Sequence, residues 1–422
     1  SSFLAISSYM SAAPLNPSYK SEEYEFYLKD LNPKIVLVEK NSENPVVDVA
    51  KKLKIELCEI NPEKDGPSGI FNIYEKESEY SLPNESDEAL VLHTSGTTSR
   101  PKIVPLTNKN IFSSAENISK SLNLSENDHC LNIMPLFHIH GLIAILASSM
   151  KAGASVCASN GFNAIKFLDI AKSEKITWYS GVPTMHQTIL LRAHKNLEIA
   201  KGLELRLIRS SSASLPPAVF NDLNDVFSCP VIEAYGMTEA THQMTSNPLP
   251  PKQQKAGFVG LPAGPEVCIM NENGEVLKQG DEGEVCIKGE NVTLGYDNNE
   301  EANKTSFTNG WFRTGDQGYF DNEGYLKISG RLKEIINKGG EKISPLEVDN
   351  VLMDHPLIDQ AVCFGYEDKM LGENIASAII IKSGETCSEN DVLEYAKEKL
   401  AKFKIPKKIF FVEEIPKGAT GK

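Results

Sequence analysis

Five hydroxyl side chains, Thr94, Ser95, Thr97, Thr98 and Ser99, share a nine-residue segment with Gly96, Arg100 and Lys102. A turn of this kind can wrap a polyphosphate, because hydroxyl and backbone N–H groups hydrogen-bond the oxygens while Lys and Arg neutralise their charge. It follows the apolar run Ala89-Leu90-Val91-Leu92-His93, which reads as a strand. It is not a Walker A loop, which needs a second Gly before its Lys and a Ser or Thr after it; Pro101 precedes Lys102 and Ile103 follows. A Ser/Thr-rich surface turn has the same composition, so the loop by itself leaves both readings open.

The loop resembles the phosphate-binding signature of the adenylate-forming superfamily, which takes in acyl-CoA synthetases, luciferases and peptide-synthetase adenylation domains. The resemblance extends over nearly the whole chain and keeps the family order. Met134-Pro135-Leu136-Phe137-His138-Ile139-His140-Gly141 looks like the family's gate and acyl-pocket segment. Glu233-Ala234-Tyr235-Gly236-Met237-Thr238-Glu239 looks like its adenine and magnesium motif, and Gly310-Trp311-Phe312-Arg313-Thr314-Gly315-Asp316 like its ribose motif. Gly330-Arg331-Leu332-Lys333 resembles the hinge, and Pro416 to Lys422 the motif that ends in the catalytic lysine.

The resemblance implies an enzyme that uses ATP, Mg2+ and CoA to activate a carboxylic acid as an acyl-adenylate and then pass it to a thiol. It places Thr94, Ser95, Gly96, Thr97, Thr98 and Lys102 on the phosphates, Glu233, Ala234 and Tyr235 around the adenine, and Thr238 on phosphate. Each assignment has its own chemistry. Tyr235 offers a flat aromatic face. Glu239 is a hard oxygen donor suited to Mg2+, which keeps most of its waters and takes one or two carboxylates. Asp316 can accept both ribose hydroxyls, and Arg331 adds a fork of donors close by. Lys422 meets the charge crowded at the α-phosphorus during adenylation. Lys333 becomes the pivot of the small domain, and Gly339 and Gly340 line the pantetheine channel, since only Gly lets a backbone pass so near a ligand; a helix-terminating turn is the plainer account of that pair. Lys338 and the basic run Lys402, Lys404, Lys407 and Lys408 suit CoA phosphates or a solvated face.

The acid pocket is expected around His138, Ser212 and His242, with His138 also counted among the catalytic residues. Where fatty-acyl and aryl members offer Gly and apolar side chains, the chain reads Arg209-Ser-Ser-Ser-Ala-Ser-Leu215 and Thr238-Glu-Ala-Thr-His242, opposite His138 and His140. A polar, cationic pocket suits oxalate, a dianion with no apolar surface. The dianion would in turn favour the imidazolium form of His138 or His242. These runs, with Leu92 to Lys102 and Ser246-Asn247-Pro248-Leu249-Pro250, also look like the oxalate-CoA ligase branch of the superfamily. Zinc at His138 and His140 lacks a third ligand at matching spacing. A short- or medium-chain or coumarate-type acyl-CoA synthetase, a peptide-synthetase adenylation module and a non-catalytic nucleotide-binding pseudoenzyme are the competing readings.

The elements that must hold these residues follow from pattern. From residue 34 onward short β-branched runs, Lys34 to Val38 and Ile176 to Tyr179, alternate with amphipathic stretches, Val47 to Leu53 and Thr184 to His194, the rhythm of α/β layers. After Asn271 turn residues such as Asn273-Gly274 and Glu282-Gly283 mark a more antiparallel, barrel-like β part. Ser344-Pro345 starts a helix in a small α+β unit, with strands near 360–364 and 376–381 and a helix over 389–400. The expected division is a large AMP-binding domain over 1–332 and a small mobile lid over 333–422, both ends of the chain being truncated.

The 422 residues carry a net charge of −14, which excludes a general nucleic-acid or acidic-membrane surface. Eight cysteines lie scattered without a CxxC pair, which suits reduced thiols of an intracellular protein, cytoplasmic or peroxisomal. The most apolar stretch, Leu131 to Met150, contains Pro135, His138, His140 and Gly141 and fails as a membrane span.

Overall fold

Alternate residues of the central strands join two different cores. Trp178, Leu207 and Ile232 pack with Ile118, Leu142 and Ile143, whereas Tyr179, Ile208 and Val231 pack with Phe167, Ile189 and Leu223. A strand period of two requires this alternation when a parallel sheet is covered on both faces. The computed structural model describes residues 1–63, 69–73, 81–94 and 101–416. Its largest sheet has seven strands in the order Leu261–Pro262, His242–Ser246, Val231–Met237, Leu207–Ser210, Trp178–Gly181, His129–Asn132 and Ser155–Ala158. The five from Val231–Met237 onward run parallel; the first two are antiparallel additions. Helices Ala164–Ser173, Pro183–Ala193 and Pro217–Phe227 lie between successive parallel strands in the chain. In such sheets ligands gather beyond the carboxyl ends of the strands, where Ser180, Arg209 and Tyr235 lie.

The apolar stretch after residue 130 is no span. It is the strand His129–Asn132, a turn, and a wide π-helical segment over His140–Ala147. Gly141 is required there, because a Cβ would lie 2.4 Å from the Pro135 carbonyl oxygen. Among the described residues no helix is long and apolar enough to cross a membrane.

The barrel-like part is a five-stranded antiparallel sheet of Glu266–Met270, Gly283–Lys288, Trp311–Phe320, Phe307–Thr308 and Leu326–Arg331. A turn over 332–335 separates it from the last unit. There strands Glu341–Ile343, Ile336–Lys338, Gly372–Ile381 and Ile358–Asp368 pack with helices Pro345–Met353 and Glu389–Lys399 around Ile336, Val348, Ile375 and Val392. Ser344 caps the first helix, its Oγ accepting the Glu347 N–H at 3.3 Å, and Pro345 occupies the first turn where no N–H is needed.

Candidate active site

The strands Glu88–His93 and Ile103–Thr107 pair antiparallel and present the hydroxyl-rich loop between them. Ser95, Gly96, Thr97 and Thr98 lie outside the described residues, as does Lys422, but the base of the loop is defined. The Thr94 N–H donates to the Lys102 carbonyl at 2.9 Å, and the Thr94 hydroxyl accepts the Lys102 N–H at 3.0 Å. Thr94 thus closes the loop. The Lys102 ammonium rests over the Tyr296 ring, 4.3 Å from its centroid. Burial and the nearby Lys333 lower its pKa, against the pull of Glu239.

Glu239 follows the strand Val231–Met237 in a short helical turn and is buried. Its Oε1 accepts the Tyr296 hydroxyl at 2.7 Å, and its carbonyl accepts the Thr293 N–H at 2.8 Å. The Tyr296 phenol is raised well above its ordinary value, by burial first and by the Glu239 charge second. The segment that carries Tyr296 is also tied to the strand that follows the hydroxyl-rich loop, since the Asp297 N–H donates to the Ile103 carbonyl at 3.0 Å.

A second cluster has Asp316 at its centre. Arg331 is its cross-strand partner, and the Arg331 Nε stands 3.0 Å from Asp316 Oδ1. The Tyr235 hydroxyl donates a short hydrogen bond to the other carboxylate oxygen, and the Asp316 N–H is held by the Thr314 hydroxyl at 3.1 Å. Burial, then Asp316, drives the Tyr235 phenol up. Burial would lower Arg331, but Asp316, Tyr235, Glu334 and Glu239 hold it above its usual value. Arg331 therefore lies within electrostatic reach of both clusters.

The residues expected around the acid form a third cluster. His140, fully buried, is held between the Ser180 hydroxyl at 2.7 Å and the Ser212 hydroxyl at 3.1 Å. The His242 ring lies 4.9 Å from it, centroid to centroid. Both Ser212 (φ 76°) and His242 (φ 96°) have left-handed backbones, an uncommon conformation for residues with a Cβ and a frequent one at binding sites. Gly236 lets His242 approach: a Cβ there would stand 2.1 Å from the His242 carbonyl oxygen. Behind them Arg209 is fully buried, with Ser180 at 3.5 Å, His242 Nδ1 at 3.5 Å and Gln243 Oε1 at 3.2 Å. His138 is half-buried at the rim, its Nδ1 accepting the His140 N–H at 3.2 Å.

Other expected residues fall differently. Glu233 is buried, and its carboxylate accepts the Gly257 N–H at 2.8 Å. Burial pushes it up to about 8, against the backbone hydrogen bonds of Gly257 and Leu215. That bonding ties strand to loop. The Ala234 carbonyl accepts the Ser211 hydroxyl at 2.7 Å. Thr238 opens the turn that carries Glu239. Lys333 is exposed in the 332–335 turn. Gly339 (φ 62°) and Gly340 (φ 96°) form the two-residue turn of a hairpin, not a helix end, and that turn type demands positive φ at both places. Tyr296, Ser180 and Gln243 had no signal in the sequence. Gly295-Tyr296 belongs to none of the recognised runs.

At the opposite, amino-terminal ends of the strands, a cleft of about 390 Å³ is lined by Asn123, Asp128, Thr177 and Arg206. Its Asp128 carboxylate is committed to Arg206, Thr177 and Ser125, and Glu204 stands at its edge. The cleft carries no chemistry of its own.

Residues 2–297 match the family described as AMP-binding enzyme, and residues 347–422 match the AMP-binding enzyme C-terminal domain. An oxalate–CoA ligase of Arabidopsis thaliana is 48% identical over 421 residues, 97% of this chain and 81% of that protein. An oxalate–CoA ligase of Saccharomyces cerevisiae is 44% identical over 438 residues, 97% of this chain and 80% of that protein. Among solved structures, ATP-bound MatB from Rhodopseudomonas palustris matches with a TM-score of 0.87 at 29% identity, over 97% of this chain and 81% of that one.

Proposed function

The chain belongs to the AMP-binding enzymes and is an adenylate-forming acid–CoA ligase that uses ATP and CoA, and on that footing we propose that its acid is oxalate. The observation that carries this reading is the polar wall of buried Ser180 and His140 with half-buried Ser212, and His242 beside it. An alkyl or aryl acid against that wall would strip water from Ser212 and His242 without offering their donors an acceptor, at about 1–3 kcal/mol each. A dicarboxylate gives them acceptors. The names of the two curated relatives described above agree with this choice.

In the proposed reaction a carboxylate oxygen of oxalate attacks the α-phosphorus of ATP, pyrophosphate leaves and oxalyl-AMP forms. The thiol of CoA then attacks the acyl carbon, and AMP departs with the electron pair of the broken acyl–oxygen bond. Tyr235 and Ala234 flank the adenine, Asp316 and Arg331 take the ribose, and Lys102 with Thr238 and the loop residues takes the phosphates. His138, Ser212 and His242 orient the acid. Lys422 acts on the first half-reaction, the domain 333–422 turning about Lys333 before the second, with Gly339 and Gly340 beside the pantetheine arm.

Glu239 suits Mg2+, which takes few carboxylates and fills its shell with water and phosphate oxygens. Its Oε1 is held by Tyr296, while no hydrogen bond reaches Oε2 among the described residues. When bound, the ion neutralises charge on the phosphates.

The test offers the purified protein oxalate, hexanoate or coumarate with ATP, Mg2+ and CoA and follows pyrophosphate release. Oxalate is expected to be turned over best. Far faster release with hexanoate or coumarate would overturn the choice of acid, and no AMP with any acid would favour a non-catalytic protein.

A further inference from the structure

Among the described residues Arg209 is a buried cation without an anion. Arg206, Arg313 and Arg331 each pair with a carboxylate, of Asp128, Glu284 and Asp316 respectively. Arg209, fully buried, meets only neutral groups among the described residues: the Ser180 hydroxyl, His242 Nδ1 and Gln243 Oε1. Its Nε has no hydrogen-bond partner among them. Burial alone pulls its pKa down to about 9, so it remains charged at neutral pH. An isolated buried charge opposes folding. The arrangement makes sense when an anion completes it.

Position says which anion. Arg209 pairs in register with Ser180 at the carboxyl end of the parallel sheet, and Ser180 also receives His140, which reaches Ser212. The guanidinium thus stands one hydrogen bond behind the polar wall. Because a guanidinium has donors only, the His242 Nδ1 that faces it must accept, which leaves the ring proton on Nε2. A permanent positive charge alongside also disfavours a second one on the ring. The imidazolium expected from the sequence is therefore not the form this arrangement supports.

Building on the oxalate reading, we propose that Arg209 is the residue that selects a dicarboxylate. It acts as a positioning residue from behind Ser180 and His242, compensating the carboxylate that does not react and holding His242 as a neutral Nε2 donor. A monocarboxylic acid would leave that charge uncompensated.

Oxamate, in which an amide replaces one carboxylate at nearly the same shape, separates charge from size. In the wild-type enzyme its inhibition constant against oxalate is expected to exceed the KM for oxalate about 30-fold or more. In Arg209→Met that gap should shrink to about threefold while KM for ATP stays within about twofold, and Arg209→Lys should keep most of it. A wild-type enzyme that binds both alike overturns the proposal without any variant. So does an Arg209→Met enzyme that loses oxalate and oxamate in parallel, the mark of a merely structural arginine. If the wild type does not turn over oxalate at all, the acid assignment falls first, which is a distinguishable result.

Discussion

The Tyr296 hydroxyl donates to Glu239 Oε1 at 2.7 Å while the face of the same ring carries the Lys102 ammonium at 4.3 Å. One side chain thus fixes the carboxylate proposed for Mg2+ and parks the cation proposed for the phosphates. Its backbone is anchored in turn, the Tyr296 N–H donating to Asn303 Oδ1 at 2.7 Å. Tyr296→Phe keeps the ring and releases Glu239, so the Mg2+ concentration for half-maximal pyrophosphate release is expected to rise about tenfold. Tyr296→Ala should in addition raise KM for ATP, because Lys102 loses its platform. An unchanged Mg2+ dependence in the Phe variant would rule out this link.

Asp316 holds the Tyr235 hydroxyl and the Arg331 guanidinium on its two oxygens. A ribose that binds there must share or displace these donors. Asp316→Asn is expected to raise KM for ATP about 10- to 100-fold, the range of hydrogen bonds to a charged group. The clearer measurement is selectivity. The wild type should prefer ATP to 2′-deoxy-ATP, and the Asn variant should lose most of that preference; if it keeps the full preference, the ribose lies elsewhere.

The parallel sheet, the cap at Ser344 and the hairpin at Gly339-Gly340 rest on local chemistry, and that is why the alternation and turn residues announced the first two. The two glycines were open to a helix-end reading only because their strands are three residues long each. The nucleotide motifs were legible for a different reason, their family order. Contacts made by folding alone were not. Tyr296 meets Glu239 across 57 residues of chain. Arg209 looked like one polar residue in a serine run, since burial and the lack of a carboxylate partner cannot be read from neighbours. His138 and His140 are equivalent in sequence, yet the π-helical segment opening at His140 turns that ring, not His138, toward Ser180 and Ser212.

Glu233 makes stability fall with rising pH. Burial lifts it from 4.5 to about 8 in the folded protein, so between those values the folded state binds a proton that the unfolded state has lost. Its stabilising contribution is whole below the unfolded value and is lost as pH rises through about 8, at a limiting slope of about 1.4 kcal/mol per pH unit. His186, lowered to about 4 by burial, works oppositely only below its ordinary 6.5. Asp349, which burial also lifts to about 8, adds a like slope, so melting should be compared between pH 6.5 and 9, where Glu233→Gln is expected to remove about half of the decline. The same variant checks the adenine assignment: KM for ATP within about twofold of wild type would make Glu233 a structural residue.

Gly236 and His242 test whether the strained histidine serves the acid. A Cβ at Gly236 would meet the His242 carbonyl oxygen at 2.1 Å and its Nδ1 at 3.0 Å, across the paired strands Val231–Met237 and His242–Ser246. Gly236→Ala should thus push His242 away from His140, raising KM for oxalate about tenfold or more and costing about 1–3 kcal/mol of stability from overpacking. His242→Ala should raise KM for oxalate comparably with KM for ATP little changed. If the glycine matters through the histidine, the double variant will be no worse for oxalate than the worse single one, because the second change removes a group already displaced. Fully additive losses would mean that Gly236 supports Tyr235 and the nucleotide instead.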